Sequence, residues 1–430
     1  MLIGLFVALI LLILFGVPVL LAIGMVALTG VLLVEALVPA MFPQKMFTML
    51  DSFSLLAMPY FILAGELMAR GGLSKKLVEF AETVVGHLRG GLGQAAVVSS
   101  MVFAGVSGSS VADTSAIGSI LIPSMKERGY KPGFAASLLA SAGTIGPIIP
   151  PSMTMIVYGS MAGVSIGGLF LAGIIPGILV GLGLMVTIYI HSYLKDFPEL
   201  RQTTGRFNLK VILRAAGRVW VALVAPLIIL GGILGGVFTA TEAGVVACIY
   251  SFVVSFFLYR TVRWRDIFTI IVDAAVTTTM VVGIISVAGA FGWLLAYLDF
   301  NEVVMALIKG TSTNPMVVLL ILIFTMLFLT MFVESLAILV ILVPVAVYVS
   351  KAYGFDQYHF GLLMVMATQI GATTPPVAVL LFVATSIAET SYDQTLRYCL
   401  PFVMTLILVM LLVAFYPPTA SWIPGRFLGP

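Results

Sequence analysis

The chain alternates long apolar stretches with short polar loops. Apolar segments cover roughly residues 2–17, 20–37, 54–69, 133–162, 168–193, 219–238, 240–258, 267–297, 357–388 and 397–416. At about 1.5 Å per residue, most can cross a hydrocarbon core of about 30 Å. Two further segments, 91–125 and 315–350, are interrupted midway by polar residues. Each of their halves is about 15 residues, too short to span alone. Each segment is therefore expected to be a re-entrant hairpin that enters and leaves on one side. Residues 74–89 follow a different pattern. Leu77, Phe80, Ala81, Val84, Val85 and Leu88 share one helical face, and Lys75, Lys76, Glu79 and Glu82 the other. This predicts an amphipathic arm helix lying in the membrane interface, with a bracing role.

Two of the apolar segments contain sequences that cannot remain helical. Gly143-Thr144-Ile145-Gly146-Pro147-Ile148-Ile149-Pro150-Pro151-Ser152 carries three prolines and two glycines, and Gly371-Ala372-Thr373-Thr374-Pro375-Pro376 repeats the device. Proline removes a backbone donor and clashes with the preceding turn. A backbone group freed in lipid costs several kcal/mol unless protein or a water-filled cavity satisfies it. Two interrupted helices at matching places in two halves point to a transporter's binding site.

The positive charges orient the segments. Arg70, Lys75, Lys76 and Arg89, then Lys126, Arg128 and Lys131, then Lys195, Arg201, Arg206, Lys210, Arg214 and Arg218, then Arg260, Arg263 and Arg265 occupy four loops. All four fall on one side only if 91–125 is a hairpin, and the positive-inside rule makes that side cytoplasmic. The loops flanking the second hairpin carry only Lys309 and Lys351, so it opens from the opposite side. Pairing Asp113 with Glu334 gives an offset of 221 (334 − 113), and pairing Gly146 with Gly371 gives 225 (371 − 146). The expected fold is an all-α polytopic inverted repeat of about ten spans. Residues 1–193 form the first repeat, 194–218 a cytoplasmic linker, 219–416 the second repeat and 417–430 a C-terminal tail.

Composition agrees. Hydrophobic residues make up 61% and charged residues 9% of 430, against roughly 25% charged in soluble domains. No Lys/Arg run suggests nucleic acid. Cys248 and Cys399 lie in separate apolar spans and are read as core residues. Met1–Val17 lacks a basic lead and a small-residue cleavage site, so a retained first span is expected rather than a signal peptide.

The first hairpin turns at Ser107-Gly108-Ser109-Ser110. Hydroxyls and unwound carbonyls are hard oxygen ligands suited to Na⁺. Thr144 and the carbonyls from Gly143 to Gly146 complete a shell if the hairpin tip meets the break. A helix restarting at Pro150-Pro151-Ser152 would aim its positive end into the same pocket and favour an anion. The second copy is less polar, with Thr330 at the tip and Gly371, Thr373 and Thr374 at the break. The substrate is expected between the two sites, near Ser110, Asp113, Pro150, Pro151 and Ser152 of one half and Glu334, Ser335, Pro375 and Pro376 of the other. These small residues also fit close helix packing. Asp113 and Glu334 are intramembrane acids, read first as caps of the returning half-helices and second as cation attractors. Glu242 is expected to cap the 240–258 helix, and Glu66 either to snorkel or to pair with Arg70 at i+4.

Other classes fit less well. Gly105-Val106-Ser107-Gly108 matches the short motif of rhomboid proteases, but His87, His191 and His359 are all expected away from mid-membrane. No zinc-site spacing, phosphate-binding loop or repeated pore filter occurs.

With these motifs in place, the chain resembles the large membrane subunit of TRAP (tripartite ATP-independent periplasmic) transporters. The resemblance runs through Leu56–Met68, Ser107–Ala112, Ala116–Ser119, Gly129-Tyr130, Gly143–Ser152, Phe170–Gly177 and Gly371–Pro376. It implies a Na⁺-driven importer of organic anions in the bacterial inner membrane, working by an elevator movement. It also implies a small four-helix membrane subunit, not fused here, and a periplasmic substrate-binding protein. A stand-alone Na⁺ or H⁺ symporter, needing no binding protein, remains the alternative.

Overall fold

The computed structural model describes residues 1–194, 197–203 and 207–428. Lys195 and Arg206, counted among the loop charges, lie outside the described residues, as does the end of the tail. All regular structure among the described residues is helical. The first repeat comprises α1 (Leu2–Leu14), α2 (Val19–Leu33), α3 (Met41–Leu50), α4 (Ala57–Arg70), the arm α5 (Leu73–Val85), the hairpin α6 (Gly91–Ser107) and α7 (Ser110–Glu127), the broken pair α8 (Pro132–Gly143) and α9 (Met153–Ala162), and α10 (Ile166–His191). The second comprises α11 (Leu209–Leu234), α12 (Ala240–Val253), α13 (Trp264–Tyr297), α14 (Phe300–Thr311), the hairpin α15 (Pro315–Thr330) and α16 (Ser335–Tyr353), the broken pair α17 (Gln357–Gly371) and α18 (Val379–Ala388), and α19 (Tyr392–Phe415). A final α20 (Pro418–Phe427) packs on α10 and α17.

Seven helices among the described residues are long and apolar enough to cross a membrane. One of them, α16, is a hairpin arm. The other six, the two broken pairs and the shorter α1 and α2 make up the ten expected segments. The hairpin arms are longer than the sequence suggested, at 17, 18, 16 and 19 residues. They turn back because the tips cannot continue as helix, rather than because the arms fall far short of the bilayer.

Contacts exchange between the repeats. The half-helix α9 packs on α16 and α17, and its counterpart α18 packs on α7 and α8. Likewise α19 packs on α8, and α10 on α17. This crossed pattern is that of two repeats related by a pseudo-two-fold axis. At its centre α8 and α17 are almost wholly buried, which the small residues of Gly133-Phe134-Ala135-Ala136-Ser137 permit in α8.

The caps of the returning hairpin arms and the proline pairs share one register, and it corrects the pairing of the acids. The N-caps of the returning hairpin arms are Ser109 and Glu334, 225 positions apart (334 − 109). The proline pairs of the two breaks share that offset (375 − 150). Glu334 therefore matches Ser109, and the position matching Asp113 is Ile338 (113 + 225). The offset of 221 came from pairing like side chains. It slipped by one helical turn.

Three further expectations change. The arm helix turns its apolar face inward: Leu77, Val78, Ala81 and Val85 are buried, and α5 packs on α6 and α11. The linker is shorter than 194–218, because Asn208 caps α11 by accepting from Lys210 N and Val211 N. The short helices α3 and α14, outside the apolar segments, were not anticipated. The capping box of α12 does form: Glu242 N donates to Thr239 Oγ1 at 3.2 Å, and Thr239 N to Glu242 Oε2 at 2.7 Å.

Candidate functional site

Each hairpin tip is built by a helix that must stop. Gly108 ends α6 in the left-handed region, with φ 63°. Ser109 is extended and caps α7 through Oγ, which accepts from Ala112 N at 3.4 Å. Ser107 Oγ donates to Asp113 Oδ1 and accepts from Ser109 N at 3.3 Å. Asp113 is thus a buried partner inside the tip and not the cap of α7, contrary to the first reading. The shorter Ser109 side chain, one turn earlier, takes that place.

The tip meets the break. Gly108 O accepts from Met153 N at 3.3 Å. A Cβ on Gly108 would come within 2.5 Å of Pro151 O, so the close approach requires glycine. Asp113 Oδ2 has no hydrogen-bond partner, and a Cβ on Gly146 would come within 2.5 Å of it. Thr114 Oγ1 and Ser141 Oγ are also buried without partners. Thr144 Oγ1 donates to Ser141 O at 2.6 Å, which leaves its lone pairs free. A Cβ on Gly143 would press on Thr114 Oγ1 and lie 3.0 Å from Ser110 O. A cluster of buried oxygens with few donors therefore surrounds the break. Among the described residues no group of three or more His, Cys, Asp or Glu could hold a metal ion. Hydroxyls, carbonyls and the unpartnered Asp113 Oδ2 are the ligands available at the first break.

The second tip repeats this geometry with different chemistry. Met331 O accepts from Val377 N at 3.1 Å, tying tip to break. Glu334 caps α16, its Oε2 accepting from Ala337 N at 2.9 Å, as expected of it. Ser335 Oγ donates to Glu334 Oε1 at 3.3 Å. Thr330 Oγ1 donates to Met326 O and Leu327 O at 2.8 and 3.0 Å. Thr373 Oγ1 donates to Gln369 O at 3.0 Å and Thr374 Oγ1 to Ile370 O at 2.6 Å. A Cβ on Gly371 would press on Thr330 Oγ1 and lie within 2.6 Å of Leu327 O. Both breaks pass through cis proline bonds, Pro150-Pro151 and Pro375-Pro376. The prolines precede the restarting helix rather than opening it. Ser152 Oγ caps α9, accepting from Met155 N at 3.1 Å.

Both tips open onto one cavity of about 580 Å³. Gly108, Ser109, Ser110, Glu334 and Ser335 line it, with Gln369 from the second broken helix. Asp113, Ser152 and the four prolines of the cis pairs are not on its wall. The sequence reading missed the opposite wall, formed by Thr277, Met280, Val281 and Ile284 of α13 together with Glu66 of α4. The run Thr277-Thr278-Thr279 inside an apolar span, and the intramembrane charge of Glu66, were the available signals. Glu66 pairs with Arg70 at 3.6 Å as expected, and Arg70 also bonds Asp273 of α13. No Lys or Arg lines the cavity.

Among the described residues the serine of the protease motif hydrogen-bonds an acid and no histidine. Ser107 bonds Asp113, His359 Nε2 is 2.8 Å from Val413 O, and His191 Nδ1 is 2.8 Å from Thr187 O.

Comparison with known proteins agrees with this architecture. Residues 6–419 match the family described as "Tripartite ATP-independent periplasmic transporter, DctM component". The chain is 35% identical over 414 residues to the sialic acid TRAP transporter large permease SiaM of Vibrio cholerae, covering 96% of each. It is 37% identical over 381 residues to the C4-dicarboxylate large permease DctM of Pseudomonas aeruginosa, covering 89% of this chain and 88% of the relative. It is 37% identical over 411 residues to the isethionate permease DctMQ of Oleidesulfovibrio alaskensis, covering 95% of this chain and 64% of the relative's length. The crystal structure of the YdaH transporter of Alcanivorax borkumensis shares the fold, with a TM-score of 0.68, 14% identity and 91% coverage of each chain. These relatives are transport permeases rather than enzymes, and the chain belongs to the TRAP transporter large permease family, the DctM component.

Proposed function

We propose that the chain imports an organic anion coupled to Na⁺ by an elevator movement in the bacterial inner membrane. The substrate is a carboxylate or sulfonate, delivered by a periplasmic substrate-binding protein, and a small four-helix membrane subunit completes the transporter. One observation carries the reading: two hairpin tips, each starting a helix, converge on a single cavity whose wall has no Lys or Arg. The N-termini of α7 and α16 face that cavity, and helix N-termini favour anions. Glu66 and Glu334, on facing walls of the cavity, oppose an anion, so bound cations are needed to offset them. The oxygens of Ser107, Ser109, Ser110, Thr144 and the carbonyls of Gly143–Gly146 would hold one Na⁺. The carbonyls around Thr330 and Gly371–Thr374 would hold a second. The named relatives for sialic acid, C4-dicarboxylate and isethionate support an organic acid as the cargo class.

The test is uptake of labelled organic acids into liposomes holding the chain and its small partner, with and without the binding protein. Uptake that requires both an inward Na⁺ gradient and the binding protein supports the reading. Uptake with Na⁺ alone would make the chain a stand-alone symporter. Uptake driven by a proton gradient with no Na⁺ effect would overturn the cation sites.

A further inference from the structure

A second cavity, of about 320 Å³, lies between the arm α5 and the first span of the second repeat, α11. Its wall comprises Lys76, Glu79, Phe80 and Thr83 of α5 with Ala215, Arg218 and Val219 of α11. Two cations and one acid therefore face an apolar floor. Arg214 precedes Arg218 by one helical turn on the exposed part of α11, and Lys75 is exposed beside Lys76. Arg214 and Arg218 have no ion-pair partner among the described residues, where every salt bridge uses Arg70, Lys126 or Arg128. Lys76 Nζ sits 3.2 Å above the Tyr259 ring. Burial pulls the Lys76 ammonium below its usual range, and Glu79 only partly offsets this.

The depth of the cavity is marked independently. Trp220, two residues beyond Arg218, is 57% exposed, and Trp264 at the start of α13 is 72% exposed. Exposed tryptophans flanking apolar spans mark the headgroup level. On α11, beyond the exposed Leu209, Val211 and Leu213, the exposed residues pass from Arg214 and Arg218 to Trp220 and then to Leu227. The cavity thus opens at the cytoplasmic interface, where anionic headgroups are concentrated and basic pockets between helices bind them.

We propose that this cavity binds the headgroup of an anionic phospholipid of the cytoplasmic leaflet. Lys76 and Arg218 contact the phosphate, and an acyl chain runs along Phe80 and Val219. Arg218 makes the forked contact, which suits a phosphate's oxygens, and Lys76 acts as a point charge. The lipid then fills the gap between α5, which packs on both hairpin arms α6 and α7, and α11. This assignment needs only that the chain spans a membrane, so it stands or falls independently of Na⁺ coupling.

The test is native mass spectrometry of the delipidated full-length chain with added phosphatidylglycerol or phosphatidylcholine, compared with Lys76→Gln/Arg218→Gln. Each basic residue near an anionic surface contributes about fivefold to binding, so the double variant should bind phosphatidylglycerol about 25-fold more weakly and phosphatidylcholine equally. Inorganic phosphate at millimolar concentration should not displace the lipid, because it lacks the acyl chain. Displacement by phosphate would overturn the lipid assignment in favour of a free-anion site. Equal retention of the two lipids, or full retention of phosphatidylglycerol by the double variant, would also overturn it and leave the groove to an acidic protein segment. An unchanged melting midpoint of the delipidated variant checks that it folds.

Discussion

Glu334 is an acid at the wall of a cavity read here as an anion site, and the structure gives it a mechanical task. Its Oε2 accepts from Ala337 N at 2.9 Å and caps α16. The matching position in the first repeat, Ser109, performs the same task with a hydroxyl and no charge. Glu334→Ala removes the acceptor and leaves the amide to whatever water enters the cavity. Loss of a cap costs about 1 kcal/mol, within a range of about 0.5–2. Near the bilayer centre the upper part of that range is expected, because replacement by solvent is incomplete. Glu334→Ser restores a capping oxygen in the form the other repeat already uses. Thermal unfolding of the purified chain should rank wild type and Glu334→Ser together, with Glu334→Ala clearly below. Uptake in proteoliposomes should follow the same order. If Glu334→Ser were as impaired in uptake as Glu334→Ala while melting like wild type, the charge would be what matters and the capping account would be refuted.

Other substitutions test other parts of the site. Gly371→Ala places a methyl group against Thr330 Oγ1 and within 2.6 Å of Leu327 O. It should destabilise by about 1–3 kcal/mol and abolish uptake, and a stable, active variant would show that tip and break do not pack as described. Ser107→Ala strips buried Asp113 of its Oδ1 partner, at a cost of about 1–3 kcal/mol for a buried acceptor left unsatisfied. Ser109→Ala loses only a cap, about 1 kcal/mol, so melting midpoints should fall further for Ser107→Ala. Glu82 lies on the arm helix, outside the spans. Burial pushes its carboxyl above the usual range, Arg128 at 3.9 Å pulls it back in part, and Glu79 adds to the rise. A raised acid contributes stability below its unfolded pKa of about 4.3 and loses it as pH rises through the folded value. Glu82→Gln should therefore melt above wild type at pH 7.5, with the gap closing as the pH falls toward the unfolded value. A lower midpoint at pH 7.5 would mean that the Arg128 pair outweighs burial.

Much of this architecture is written in local chemistry. Pro150-Pro151 and Pro375-Pro376 lie in the non-helical breaks that follow α8 and α17, and Gly108 followed by a serine is a turn and cap that short-range rules recognise. The positive loops, taken with the hairpin reading, predict the sidedness. What failed was inference from chemical likeness across the repeat. Asp113 and Glu334 are both acids, yet one sits a full turn inside α7 and the other is the cap of α16. Backbone register decides which positions correspond, and side-chain type does not. The α13 wall of the cavity was hidden for another reason. A 34-residue helix carries no break, so the only local mark of this wall is the run Thr277-Thr278-Thr279, and nothing local distinguishes Met280, Val281 or Ile284 from lipid-facing residues. The inward turn of α5 was missed because an amphipathic pattern specifies an apolar partner without saying whether it is lipid or protein.

The central claim is that oxygens at the tips and breaks hold Na⁺. The most direct test is the melting midpoint of the purified chain titrated with NaCl against KCl at constant ionic strength. A ligand that binds only the folded state at a hundred times its dissociation constant stabilises by about 2.7 kcal/mol. The account predicts a saturable rise with Na⁺ and none with K⁺, reduced in Ser109→Ala/Thr144→Ala. Equal responses to the two cations, or a full Na⁺ response in the double variant, would contradict it.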